Sequence, residues 1–223
     1  MEKSIKVALL FDKSNMWLEK HISRETILQE VSEKTCCIDV FFEYEQIVGY
    51  DVVFILGFTK IIKSQLLSNN SVNLVVHESA LPEGKGFAPV QWQILQGKRS
   101  IVVSLIEAGE KVDSGDIILQ DIMKLSGYEL WSKVREKQAK VTLSLITKFL
   151  NIYPDYTKQA QEGEETFFAK RTDKDDELDA DKTLREQFNH FRIANNEEYP
   201  LYFFINDKKY HLKIYNASED GRN

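Results

Sequence analysis

The chain has 223 residues, 43% of them apolar and 29% charged, which suits one full domain plus an extension and excludes disordered and fibrous classes. Its net charge is −6, and an acidic surface gains nothing from counterion release along a phosphate backbone, so no nucleic-acid partner is expected. No cationic-then-apolar signal opens it and no apolar run approaches the ~20 residues of a membrane span, so no membrane partner is expected and the cytoplasm is the default compartment.

Residues 5–11 (IKVALLF) form a short apolar run of the kind shown by a strand buried on both faces. The polar residues 12–15 then read as a loop, with Ser14 or Asn15 capping a helix expected over 17–32. Strands are expected at 36–42 and 51–56, the second ended by Gly57. Cys36 and Cys37 are neighbours in the first of these, so they point to opposite faces; a disulfide or metal pair is disfavoured and buried thiols are expected. Residues 61–67 read as a short helix and 72–77 as a strand. Pro89 opens a helix over 89–95 that Gly97 closes. Strands at 101–106 and 117–120 flank a loop at 107–116. The stripe Trp131, Val134, Val141, Leu145 and Phe149 predicts a long helix over 128–150, stopped near Pro154. This alternation argues an α/β, Rossmann-like, mainly parallel sheet with helices on both faces, occupying residues 1–155.

Residues 156–223 differ in composition and are expected to form a C-terminal extension. Residues 156–183, including the run Asp173-Lys174-Asp175-Asp176-Glu177, read as an acidic, solvated loop. A helix over 184–193 follows, then a hairpin of 201–205 and 209–215 around Asn206-Asp207-Lys208.

Ligands of such sheets bind outside the carboxyl ends of the strands. His77 lies at one such end, and the loop 107–116 (EAGEKVDSGD) carries Asp113 at another. A carboxylate beside an imidazole orients the ring and favours its protonated form, as general acid–base work requires. A strand-end histidine taken alone is more often a structural residue than a catalytic one. His21, His190 and His211 have no comparable setting, and no metal site is expected. The Gly84-Lys85-Gly86 turn fits neither a P-loop nor a dinucleotide fingerprint. Lys85 is either a mobile cation able to reach a phosphate or part of an exposed turn.

The segment HESALPEGKGFAPVQWQIL, with VDSGDIILQ placing Asp113 36 residues beyond His77, resembles the 10-formyltetrahydrofolate-dependent formyltransferases over roughly residues 50–150. The resemblance implies attack of a substrate amine on the formyl carbon of 10-formyltetrahydrofolate. His77 would stabilise the developing oxyanion or move a proton, and Asp113 would orient His77 and help carry the proton. It also implies a folate site beside Lys60, Ile61, Ile62 and Leu67 and against the backbone of Ala108, Gly109 and Val112. One departure stands out. The family pattern is Asn-x-His, whereas Val75 stands two before His77; Asn73 lies four before, roughly 7 Å farther along the strand.

The tail 188–215 is similar to the helix and hairpin that follow the core in sugar N-formyltransferases. This points to the branch acting on nucleotide-linked 4-amino-4,6-dideoxyhexoses, UDP-linked in pseudaminic-acid-type pathways that serve surface polysaccharides. A glycinamide ribonucleotide enzyme and a non-catalytic folate- or sugar-binding relic stay open as alternatives. A methionyl-tRNA enzyme is disfavoured by the chain's length and acidity. Asn15 is a candidate for bonding sugar hydroxyls, Trp17 for packing on the ring and Lys85 for the phosphate, with a helix cap and a core tryptophan as the other readings of the first two. The expected partner is a small nucleotide-linked amino sugar, and a homodimer is left open.

Overall fold

Alternate residues of the first apolar run serve two different cores. In β1 (Ile5–Phe11), Val7, Leu9 and Phe11 enter one apolar cluster, while Ala8 and Leu10 enter a second on the opposite face. In the computed structural model, which describes residues 4–13, 16–31, 36–109 and 111–217, β1 lies parallel between β2 (Cys36–Phe41) and β3 (Val52–Leu56). All five residues of β3 are buried, as a central parallel strand requires. β4 (Val72–His77) continues parallel beside β3. β5 (Lys85–Gly86) stands apart, and β6 (Ser100–Glu107) and β7 (Ile117–Lys124) complete the sheet antiparallel, in the order β2-β1-β3-β4-β6-β7. The mainly parallel, Rossmann-like sheet is therefore present, with two antiparallel strands at one edge.

The larger cluster packs this sheet against α1 (Arg24–Glu30), α3 (Pro89–Leu95) and α4 (Trp131–Ile152) through residues such as Ile27, Ile94, Leu145 and Phe149. The smaller cluster lies under the turn at Tyr44–Gln46 and α2 (Ser64–Leu67), and among the described residues no long helix covers it. Several expected bounds shift for local reasons. The helix expected from residue 17 begins at Arg24, because Ser23 and Thr26 form a reciprocal capping box; Leu18 and Ile22 instead enter the core from the preceding turns. Ser14 and Asn15 lie outside the described residues, as does Ser32. The long helix begins at Trp131 rather than residue 128, since the Glu129 carboxylate accepts from the N–H groups of Ser126 and Gly127 in a separate turn. Cys37 is a free, exposed thiol rather than a buried one, because β2 is an edge strand; the side chain of Cys36 lies outside the described residues.

Beyond α4, β8 (Phe167–Phe168) pairs with β5, and α5 (Phe188–Ile193) precedes the hairpin of β9 (Leu201–Ile205) and β10 (Lys208–Leu212). The hairpin turn is two residues, not three: Asn206 and Asp207 both take left-handed φ, at 47° and 61°, as the tightest hairpin turns need. Leu178, Phe191, Ala194 and Leu201 form a third small apolar cluster here. Within the run 173–177, Asp173, Lys174 and Glu177 are exposed as expected, but Asp173–Asp176 form a 3₁₀ turn and Asp176 is buried and paired with Arg171 at 2.5 Å. Among the described residues no helix is long and apolar enough to cross a membrane.

Candidate active site

Strand alternation in β4 puts Val72, Leu74 and Val76 into the main core and turns Asn73, Val75 and His77 toward the smaller cluster. His77 ends the strand and is only 6% exposed. The Asp113 loop does not start at the same sheet end, because β6 is antiparallel to β4. It leaves β6 beside Asn73, where the Ala108 N–H donates to the Asn73 carbonyl at 2.8 Å, about 13 Å short of His77 along the strand. The loop therefore folds back to bring Asp113 to the histidine. Gly115 permits this, since a Cβ there would lie 1.7 Å from the Glu107 carbonyl oxygen. Asp113 itself takes a left-handed φ of 54°, a conformation that costs a non-glycine residue energy and recurs at functional sites.

The resulting geometry is specific. His77 Nδ1 lies 3.4 Å from Asp113 Oδ1, and both side chains are more than nine-tenths buried. The other ring nitrogen, Nε2, lies 2.8 Å from the Gly84 carbonyl oxygen. A carbonyl only accepts, so Nε2 carries a hydrogen and Nδ1 faces the carboxylate. One mobile proton can then reside between Nδ1 and Oδ1. Asp113 Oδ2 accepts from the Gly86 N–H at 2.9 Å, which ties the carboxylate to the same turn that holds the histidine.

That turn is clamped by a segment whose polar composition reads as a solvated loop. Residues 159–169 run across both the Gly84–Gly86 turn and the Asp113 loop. Gln161 donates from Nε2 to the carbonyls of Asp113 and Gly115 at 2.9 and 2.8 Å. The Gly84 N–H donates to Thr166 Oγ1 at 2.8 Å, and Lys85 and Gly86 pair with Phe167 and Phe168. Gly86 (φ 95°) must be glycine for this, because a Cβ would meet the Phe168 carbonyl oxygen at 2.5 Å. Lys85 is neither mobile nor exposed: it is 4% exposed and ion-paired with Glu165 at 2.5 Å.

His77 and Asp113 face a cavity of about 500 Å³, which Lys60, Ile61, Ile62, Leu67, Ala108, Gly109, Val112, Trp17 and Lys85 also line, so the structure gathers every described residue singled out from the sequence. Asn15 lies outside the described residues. Val75 packs with Phe58, Ile62, Leu67 and Ala108 as an apolar wall beside the exposed backbone of the Ala108 loop. A flat heteroaromatic ring fits such a wall, with peptide groups in reach of its edge. Ile61 and Val112 stand largely exposed at this cavity, and Lys60 is held 3.6 Å from Glu43. Asn73 does not substitute for an asparagine at position 75; it accepts from Tyr44 Oη at 2.5 Å and donates to the Leu67 carbonyl at 2.8 Å. Burial pushes the Tyr44 hydroxyl above its usual range, with a hydrogen bond to Asn70 acting against it, so Tyr44 serves Asn73 as a neutral donor.

Among the lining residues not singled out from the sequence, three form a hydrogen-bonded chain. Glu78, directly after His77, accepts from Gln138 Nε2, and Gln138 Oε1 accepts from Arg135 Nη1 at 2.9 Å. Gln138 carried a readable signal, since it interrupts the apolar stripe of α4 one turn after Val134. Arg135 had none, because its value lies in what crosses over it.

The formyl transferase family matches residues 20–150 of the chain. The chain is 29% identical over 159 residues to methionyl-tRNA formyltransferase of Bacillus thuringiensis strain Al Hakam, an alignment that takes in 69% of this chain and 51% of that one. It thus spans about half the length of the curated relatives it matches. Among solved structures, methionyl-tRNA formyltransferase from Clostridium thermocellum superposes with a TM-score of 0.76 at 20% identity, over 92% of this chain and 90% of that one. A sugar N-formyltransferase from Shewanella sp FDAARGOS_354 superposes with a TM-score of 0.71 at 16% identity, over 94% and 97%. At such identities the superpositions speak to the fold. The family match, which covers more than half of the chain and both members of the buried pair, goes further: this chain belongs to the formyl transferase family.

Proposed function

We propose that the protein is an N-formyltransferase that moves a formyl group from 10-formyltetrahydrofolate to the amine of a nucleotide-linked 4-amino-4,6-dideoxy sugar. The observation that carries formyl transfer is the buried His77–Asp113 pair at one end of a cavity with an apolar wall. Ile62, Leu67, Val75 and Ala108 would hold the pterin, and Lys60 and Val112 border it. The co-substrate supplies the formyl carbon. Asp113 and His77 Nδ1 together take the proton that the amine loses and return it to the departing nitrogen. General acid–base transfer of this kind contributes ~10²–10⁴ in rate.

For the acceptor, a second cavity of about 730 Å³ adjoins the first and shares Trp17 with it. It has the size of a small-molecule site and is lined by Lys13, Lys20 and Lys133. We read residues 1–155 as the catalytic unit and 156–223 as an extension that completes it. The names of the curated relatives favour methionyl-tRNA as a second acceptor class, against which the net charge of −6 weighs.

Incubation with 10-formyltetrahydrofolate and UDP-, dTDP- and GDP-linked 4-amino sugars, glycinamide ribonucleotide or methionyl-tRNA, read by product mass, tests the proposal. A formyl group is expected on a nucleotide sugar. Formylation of glycinamide ribonucleotide or methionyl-tRNA alone overturns the sugar assignment, and formylation of none overturns the activity.

A further inference from the structure

Arg135 projects from the second turn of α4 into the neck between the two cavities and lines both. Its guanidinium carbon lies 4.1 Å from the ring centre of Trp17 and 4.0 Å from that of Trp131. Contacts this close to two indoles hold the flat group by cation–π attraction. Its in-plane edge is left for ligands: one nitrogen donates to Gln138, and among the described residues no carboxylate forms an ion pair with it. Glu78, on the first-cavity side, is engaged with Gln138.

The surroundings favour an anion. The second cavity is lined by four permanent cations, Lys13, Lys20, Lys133 and Arg135, against two carboxylates, Glu136 and Glu198. Lys13 is paired with Glu43, Lys133 and Lys140 with Glu136, and Glu198 accepts from Asn195, which leaves Arg135 and Lys20 as the cations of this cavity with no ion pair among the described residues. The start of α4 also borders this cavity through Trp131, Ser132 and Lys133. Burial lowers the pKa of the Arg135 guanidinium to about 9, with Glu78 and Glu198 acting against the shift, so the group stays cationic at neutral pH but is poorly hydrated. A poorly hydrated fork of this kind pairs strongly with a planar or tetrahedral oxyanion.

We infer that Arg135, braced by Trp17 and Trp131, is the receptor for an oxyanion of a bound ligand at the neck between the cavities. The first source is the diphosphate of a nucleotide-linked acceptor, and only in naming that source does the inference rest on the proposed function. The second source of the same chemistry is the glutamate carboxylate of the folate.

Titrations of the full chain with inorganic pyrophosphate, UDP and tetrahydrofolate, in wild type, Arg135→Gln and Arg135→Lys, separate these sources. Binding is followed by calorimetry and by indole fluorescence, which an anion drawing on Arg135 perturbs. UDP and pyrophosphate are expected to bind the wild type and to weaken at least tenfold in Arg135→Gln. Arg135→Lys should be intermediate, because it keeps the charge but loses the bidentate fork. Tetrahydrofolate should be unaffected. A tenfold loss confined to tetrahydrofolate supports the receptor with the glutamate as its anion. Affinities for all three probes within twofold of wild type in both variants overturn the inference, as does a wild type that binds no UDP or pyrophosphate and a tetrahydrofolate affinity indifferent to Arg135. Should Arg135→Gln fail to fold, Arg135→Lys decides on the same criteria. Arg135-dependent UDP binding without formylation of any nucleotide sugar overturns the acceptor assignment and leaves the receptor standing.

Discussion

The carboxylate of Asp113 lies 3.4 Å from the His77 ring, although the strand that delivers it ends level with Leu74 and runs antiparallel to the strand that carries the histidine. The pairing is made by a loop that doubles back and is then held from outside by residues 159–169. The two side chains share one position for a mobile proton, and that sharing has a kinetic consequence.

His77→Ala and Asp113→Asn are each expected to lower formyl transfer by ~10²–10³-fold or more. The double variant should be hardly worse than the poorer single one, because the residues act as a unit. In Asp113→Asn the amide oxygen can still accept from the Gly86 N–H, so the turn stays in place and folate binding should persist. Single-turnover rates of the three variants check this, and losses that multiply would falsify the coupled pair.

Gln161 touches only backbone, yet it supports the loop carrying Asp113. Gln161→Leu leaves two carbonyls without their donor, at a cost of ~1–3 kcal/mol in stability. Turnover should fall about tenfold by the reasoning that small misplacements of a catalytic group are costly, with the KM for the acceptor little changed. Gln161→Glu should be worse, since a carboxylate cannot donate to those carbonyls. Steady-state kinetics beside thermal melts measure both effects, and a KM rise without a turnover loss would count against positioning.

Val75 is part of the apolar wall with Phe58, Ile62 and Leu67. Val75→Asn would place an amide there without a prepared partner and should lower stability by ~1–3 kcal/mol. The turnover number should stay level or drop. A clear rise would mean that a transition-state donor is missing from the natural chain, rather than supplied by another element.

Glu129 anchors the start of α4. Burial pushes its carboxyl pKa up, but the Lys137 ammonium at 2.5 Å and the N–H groups of Ser126 and Gly127 outweigh this and hold it far below the usual carboxylate range. Its folded value is depressed, so its stabilising contribution is complete above the unfolded pKa of about 4.3 and is lost as pH falls from there toward the folded value. Glu129→Gln should therefore be less stable than wild type at pH 7, and the difference should shrink on acidification below that point. Denaturant melts between neutral and acid pH read the gap directly; a gap constant with pH removes the charge from the explanation.

The sequence by itself determined the elements whose signals are local. β1, β4 and α3 have the bounds that their apolar runs, Pro89 and Gly97 predict, because strand alternation and helix punctuation act within a few residues. The motif around His77 and the loop of Asp113 were likewise legible, and the pair forms. Tertiary structure alone decided that β6 runs antiparallel, since an apolar strand carries no mark of its neighbour's direction. It also decided the clamp of residues 159–169 over the Gly84–Gly86 turn and the Asp113 loop. That segment binds through backbone groups and the side chains of Gln161, Glu165 and Thr166, and such residues leave the same polar, acidic pattern as a solvated loop. Arg135 follows the same logic. Its place between Trp17 and Trp131 depends on a residue 118 positions away in the chain, and no periodicity on its own helix records that contact.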